Sequence, residues 1–89
     1  MARMDFSIVE QAETAAQTGA SDALFELGLM YCTGRDMEPD LVTAHKWFNL
    51  AALKGNTAAR DYRVELAREM SEAQIAAAQK SAREWLAAH

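Results

Sequence analysis

Cys32, His45 and His89 are the residues of this sequence whose side chains are soft metal ligands. Their spacing is not that of a zinc site, which needs ligand pairs a few residues apart. Cys32 could act as a nucleophile only with a base in reach and a lowered pKa, and His45 would have to supply the base. A structural cysteine, buried or half-exposed, is the interpretation that the sequence favours.

Three acidic residues, Asp36, Glu38 and Asp40, have the alternating spacing that opens a calcium loop. The glycine and the distal glutamate of such a loop are missing, because Leu41 follows Asp40 and Trp47 stands where the glutamate would be. Asp40 is better explained as the N-cap of a helix. We therefore predict no metal site.

The serines give no sign of an active site. Each begins or lies within a predicted helix, and none is part of a nucleophile elbow. They are Ser7, Ser21, Ser71 and Ser81. The sequence also has no glycine-rich phosphate loop, so we predict no catalytic residue, no cofactor and no enzymatic activity.

The composition indicates a single all-α domain. The chain has 89 residues, of which 51% are hydrophobic, enough for a packed core. It has 4 Gly and 1 Pro and is rich in Ala, which favours helix over strand.

The charge is unevenly distributed. Residues 1–40 contain eight acidic side chains and two basic ones, whereas residues 41–89 contain seven basic and five acidic ones. A nucleic-acid surface needs a clustered basic stripe, so nucleic acid is not an expected partner. Two ordinary solvated faces are the interpretation that we favour for the asymmetry, and a basic partner or head-to-tail self-association is the alternative.

Features that would place the chain in a membrane or an oxidising compartment are missing from the sequence. A single cysteine cannot form an internal disulfide, which fits a reducing compartment. The first residues lack the apolar segment of a signal peptide, and no stretch approaches the roughly 20 apolar residues of a membrane span. We expect a cytoplasmic protein.

Apolar periodicity and helix-ending residues predict five helices. The predicted ranges are 6–18 with Asp5 as N-cap, 22–33, 41–54, a segment that follows Asn56 or Thr57 and runs to about 69, and a last helix after Ser71. Gly19, Gly34 and Gly55 are predicted to end the first three. Ser71 and Gln74 have the spacing of a capping box. The third helix is expected to place on one face Leu41, Ala44, Phe48, Ala51 and Ala52. The last helix is expected to have an apolar stripe of Ile75, Ala78, Ala82, Trp85 and Leu86.

An internal repeat links the second and fourth helices. Residues 15–23 recur as residues 51–59, with four identities at a constant offset of 36, and both copies lie where one helix ends at Gly and another begins. A period of this length containing two helices is typical of a solenoid.

The segment around this repeat resembles the Sel1-like repeat family, a relative of the tetratricopeptide repeat. The matching positions are Ala23, Leu27-Gly28, Tyr31, Gly34, Ala44, Trp47-Phe48, Ala51-Ala52 and Gly55. Asp36 departs from the pattern, since a second Gly usually stands there. The last thirty residues are similar to the closing helix pair that follows such repeats in bacterial proteins.

The resemblance implies an α-α superhelix of about five antiparallel helices. It also implies how the chain is divided into repeats. Residues 1–89 would form one domain, with 1–19 as an N-terminal half-repeat helix, 20–55 as a full repeat, and 56–89 as a terminal half-repeat plus capping helix. The small residues Ala23, Ala44, Ala51 and Ala59 would lie where helices approach closely. Gly28 would lie where the backbone of a neighbouring helix crosses.

The resemblance also implies a protein–protein interaction module, such as an adaptor or regulatory binding protein. In stacks of this type the first helix of each pair lines the concave face. With Gly28 as anchor, the residues predicted to face a partner are Asp22, Phe25, Leu29, Cys32, Asp61, Tyr62, Glu65 and Arg68. The alternative for Phe25 and Leu29 is that they only pack on the first helix.

Two other classes of function stay open at this stage. One is a small ligand-binding protein or hydrolase-like enzyme, although the β-lactam-binding relatives are stapled by disulfides that a single cysteine cannot form. The other is a purely structural domain that oligomerises through its first helix, near Phe6, Ile8 and Val9, which no earlier repeat covers.

Overall fold

The described part of the computed structural model, residues 10–11, 13–17, 19–34 and 38–89, consists of helices joined by turns and loops and contains no strand. Helix α1 is described at residues 10–11 and 13–16. The helices that follow are α2 (Ser21–Thr33), α3 (Leu41–Leu53), α4 (Thr57–Ala67) and α5 (Glu72–Ala88). The predicted all-α fold is thus confirmed.

The helix ends follow the local sequence signals. Gly19, Gly34 and Gly55 all have positive φ, as predicted for residues that follow a helix. Gly34 shows the reason, because its left-handed backbone directs its N–H to the carbonyl oxygen of Met30 at 3.2 Å. A side chain with a Cβ would be strained in this conformation.

Three of the helix starts are capped by side chains. Asp40 accepts a hydrogen bond from the backbone of Thr43 at 3.0 Å, and Asn56 caps α4 in the same way. Ser71 and Gln74 form the predicted capping box. Helix α2 begins at Ser21, one residue before the predicted start, and its N-cap, Ala20, makes no side-chain bond.

Helix α3 lies at the centre of the structure and contacts α2, α4 and α5. The sequence predicted one apolar stripe on this helix, and Ala44, Phe48 and Ala51 of that stripe are buried. His45, Trp47 and Leu50 are buried as well. A helix with neighbours on three sides buries more than one stripe.

Gly28 of α2 faces the ring of Phe48 on α3. A Cβ at position 28 would overlap Cδ1 and Cε1 of that ring and would lie 3.0 Å from its Cγ. The expectation that a neighbouring backbone crosses here was wrong, because a side chain makes the close approach.

Helix α5 packs on α3 through two indole rings. Trp85 meets Trp47 edge to face with ring centroids 5.9 Å apart. Ala78 and Ala82 are buried as predicted, but Leu86 is 40% exposed. The predicted stripe of α5 is therefore wrong at Leu86.

Some predictions lie outside the described residues, namely the Asp5 cap and the apolar residues Phe6, Ile8 and Val9. Within the described part of the chain, no helix is both long and apolar enough to cross a membrane.

Candidate partner-binding surface

Three aromatic rings from three helices form a cluster that joins the core to the surface. Phe25 of α2 lies 5.8 Å from Phe48 of α3 and 5.4 Å from Tyr62 of α4, measured between ring centroids. Tyr62 also stacks on Phe48 at 5.4 Å. Phe48 is fully buried, Phe25 is half-buried and Tyr62 is 46% exposed. The cluster presents an apolar surface that is supported from below by the core.

The internal repeat explains why Phe25 and Tyr62 meet. Helices α2 and α4 begin at equivalent positions of the two copies, so residues about 36 apart share a face, and Tyr62 follows the counterpart of Phe25 by one residue. The starts of the two helices are joined by a hydrogen bond of 3.4 Å, which Asn56 Nδ2 donates to Asp22 Oδ1. Two predicted site residues, Phe25 and Tyr62, are therefore in direct contact.

Charged residues of α4 lie to one side of Tyr62 on the helix. Glu65 and Arg68 form an ion pair of 3.2 Å with side chains 69% and 70% exposed. A pair this exposed adds little stability, so both groups are available to a partner. Asp61 is exposed and makes no ion pair with any residue that the structure describes.

Leu29 and Cys32 are, like Phe25, partly buried members of the predicted site. Both are half-buried and pack against the core. Burial raises the pKa of the Cys32 thiol, and the nearby Glu69 carboxylate raises it further. The thiol is therefore held in its protonated form, which is the poor nucleophile.

His45 is a buried polar residue whose setting the sequence did not reveal. By sequence it is a soft metal ligand and a candidate base for Cys32, but it lines a pocket that Cys32 does not line. In that pocket Arg63 Nη1 donates a hydrogen bond of 2.7 Å to Asn49 Oδ1. The four-residue spacing of His45 and Asn49 indicates that they share one face of α3. It does not indicate that Arg63 of α4 lies beside them.

No group of three or more His, Cys, Asp or Glu side chains among the described residues could hold a metal ion. Asp36, one of the residues with calcium-loop spacing, lies outside them.

Comparison with known families decides the type of repeat. The family model described as Sel1 repeat matches residues 21–56, from the first residue of α2 to the N-cap of α4. The chain contains a Sel1 repeat. No curated protein and no solved structure matches it significantly.

The Sel1 repeat spans the helix pair α2 and α3, and the aromatic cluster draws Phe25 and Phe48 from that pair. Tyr62 lies just beyond the matched residues, in α4. Sel1 repeats generally mediate protein–protein interactions and are typically non-enzymatic modules. The surface around Tyr62 is thus formed where the repeat meets the next helix.

Proposed function

We propose that this chain is an adaptor that binds a segment of a partner protein on the surface formed by Phe25 and Tyr62. Asp22, Asp61, Glu65 and Arg68 form the charged rim of this surface. The observation that supports the proposal is the contact between Phe25 and Tyr62, with ring centroids 5.4 Å apart and Tyr62 46% exposed.

Phe25 and Tyr62 are partly exposed aromatic rings, which is the type of side chain that forms binding hot spots. Interfaces gain most of their energy from a few aromatic or arginine anchors with a polar rim around them. Phe48 holds both rings in place from the core, so little side-chain entropy is lost when a partner covers them.

The rim indicates the chemistry of the partner segment. Asp22, Asp61 and Glu65 give this surface more negative than positive charge, and the whole chain carries a formal charge of −4. A segment with one or two apolar anchors and flanking Lys or Arg side chains complements it. A cytoplasmic location, which fits the single Cys32, is part of this proposal.

Alanine substitution tests the proposal. The immobilised protein is used to capture partners from its native cytosol, and the dissociation constant of the purified partner is then measured by calorimetry. Phe25→Ala with Tyr62→Ala should weaken binding by about thirtyfold or more, as expected when hot-spot residues are truncated.

Controls separate lost binding from lost folding. Phe25 supports Phe48, so Tyr62→Ala alone, at a half-exposed position, is the variant with the smaller effect on the fold. Leu53→Ala removes a 62% exposed apolar side chain that lies outside the proposed surface and should leave the affinity unchanged. A folded Tyr62→Ala variant with the wild-type dissociation constant would refute the assignment of this surface.

A further inference from the structure

A pocket of about 440 Å³ lies between α3, α4 and α5, separate from the aromatic cluster. Its polar wall consists of His45 and Asn49 from α3, Arg63 from α4 and Gln79 from α5. Its volume falls in the range of small-molecule sites, which run from about 300 to 1,000 Å³.

His45 is the most deeply buried polar residue of the pocket wall. Its side chain is only 3% exposed, and Nδ1 is buried with no hydrogen-bond partner in the described structure. Buried polar atoms almost always have a partner, because an unpaired one loses its hydration without compensation. Burial lowers the pKa of His45, and the nearby Arg63 lowers it further, so the ring is neutral at pH 7.

Arg63 gives the pocket its charge. One of its guanidinium nitrogens donates to Asn49, and the remaining donors make no hydrogen bond or ion pair within the described residues. No residue of the pocket wall is acidic. A half-buried cation that lacks a carboxylate partner attracts an anion. Arg63 therefore makes this pocket a candidate anion site, although the whole chain carries a formal charge of −4.

The remaining wall of the pocket is apolar. It consists of Val64 and Ala67 from α4 and Ile75 from α5. A ligand that fills this volume therefore needs an apolar body as well as a charged head.

We propose that this pocket binds a carboxylate carried on a short apolar chain, with Arg63 contacting the carboxylate and Val64 and Ile75 contacting the chain. A single guanidinium matches the charge and planar shape of one carboxylate, whereas a doubly charged phosphate would need further cations. The neutral His45 ring and the amides of Asn49 and Gln79 add hydrogen-bonding groups around the head.

Titration of the 15N-labelled protein with hexanoate, followed by NMR, tests the proposal. Hexanoate should give saturable shifts of amides in α3, α4 and α5 around the pocket, and hexanamide, its neutral counterpart, should bind about tenfold or more weakly. Equal binding of the two ligands, or shifts elsewhere in the protein, would overturn the proposal.

Substitutions at two positions locate the charge. Arg63→Gln should weaken hexanoate binding about tenfold or more, while Arg60→Gln, at an exposed position of the same helix, should have no effect. If Arg63→Gln unfolds the protein, Gln79→Glu at the exposed rim is used, and its added negative charge should weaken hexanoate binding while sparing hexanamide. Unchanged hexanoate affinity in the folded variant that is tested would contradict the proposal.

Two sources of the carboxylate can be distinguished by ligand choice. An acetylated tripeptide ending in leucine is compared with hexanoate and with its own C-terminal amide. Tighter binding of the free-acid peptide than of hexanoate assigns the pocket to the C-terminus of a polypeptide, and equal or weaker binding assigns it to a free acid. In either case Tyr62→Ala should leave hexanoate binding unchanged, so this site is tested independently of the aromatic surface.

Discussion

Gly28 and Phe48 are packed so closely that the ring of Phe48 occupies the space where a Cβ at position 28 would lie. Phe48 is fully buried and also contacts Phe25 and Tyr62. Because Gly28 has no side chain, the Phe48 ring can occupy this space. From there it supports the proposed binding surface.

Replacing Gly28 by Leu should destabilise the protein by about 1–3 kcal/mol, because the added side chain must displace the Phe48 ring. Chemical denaturation monitored by circular dichroism measures the change. Ala76→Leu, an exposed position of α5, is the matched control and should be near neutral. A partial recovery of stability in Gly28→Ala with Phe48→Leu, relative to the sum of the single changes, would show direct coupling. An unchanged midpoint in Gly28→Leu would contradict the packing account.

The capping box gives a second stability prediction. Ser71 Oγ accepts the Gln74 backbone N–H at 3.1 Å, and Gln74 Oε1 accepts the Ser71 backbone N–H at 2.8 Å. Ser71→Ala should cost about 1 kcal/mol in a denaturation experiment, since the start of α5 loses its side-chain acceptor. Ser71→Asp keeps an acceptor and should retain most of the stability. Equal losses in both variants would show that the hydroxyl does not act as a cap.

The lowered pKa of His45 predicts how the stability of the protein changes with pH. Its pKa is lowered in the folded protein, chiefly by burial and also by Arg63, from an ordinary value of 6.5. The unfolded chain therefore binds the proton more readily, and stability should fall as the pH is lowered through about 6.5 toward the folded-state pKa. His45→Leu should reduce this slope, measured as the unfolding free energy between about pH 8 and 5.5. His89→Gln, at an exposed position, is the control, and a slope that survives His45→Leu would disprove the assignment.

The sequence predicted the features that depend on neighbouring residues. The glycines at 19, 34 and 55 and the capping residues Asp40 and Ser71 act within a few positions of themselves, so their types and spacing were sufficient. The sequence also placed Phe25 and Tyr62 on one surface, because the offset of 36 relates their helices, and the two rings are in contact.

Features that depend on several helices at once were not predicted. The burial of His45, Trp47 and Leu50 follows from the central position of α3, which a single apolar stripe does not reveal. The pocket with Arg63 draws on three helices whose relative rotation is set by packing. Leu86 has the right periodicity on α5, but its side chain is 40% exposed, because the sequence does not show how α5 is rotated against α3.

The charged rim gives a prediction about the rate at which the partner associates. Asp61→Lys reverses an exposed charge beside Tyr62 without changing the core. If the partner segment is basic, association should slow by about tenfold at low ionic strength, and the difference should shrink as salt is added. Stopped-flow or surface-based kinetics with the purified partner measure the rate. Glu84→Lys makes the same charge change on α5, and an equal effect there would show that net charge, not the rim, controls binding.

Site-specific photocrosslinking tests the central claim most directly. A photoreactive phenylalanine analogue is placed at Tyr62 in one variant and at Leu53, a more exposed apolar position outside the proposed surface, in another. Both proteins are confirmed to be folded and are irradiated with the purified partner. The account predicts a covalent product from position 62 and none from position 53. Crosslinking from position 53 with none from position 62 would contradict it.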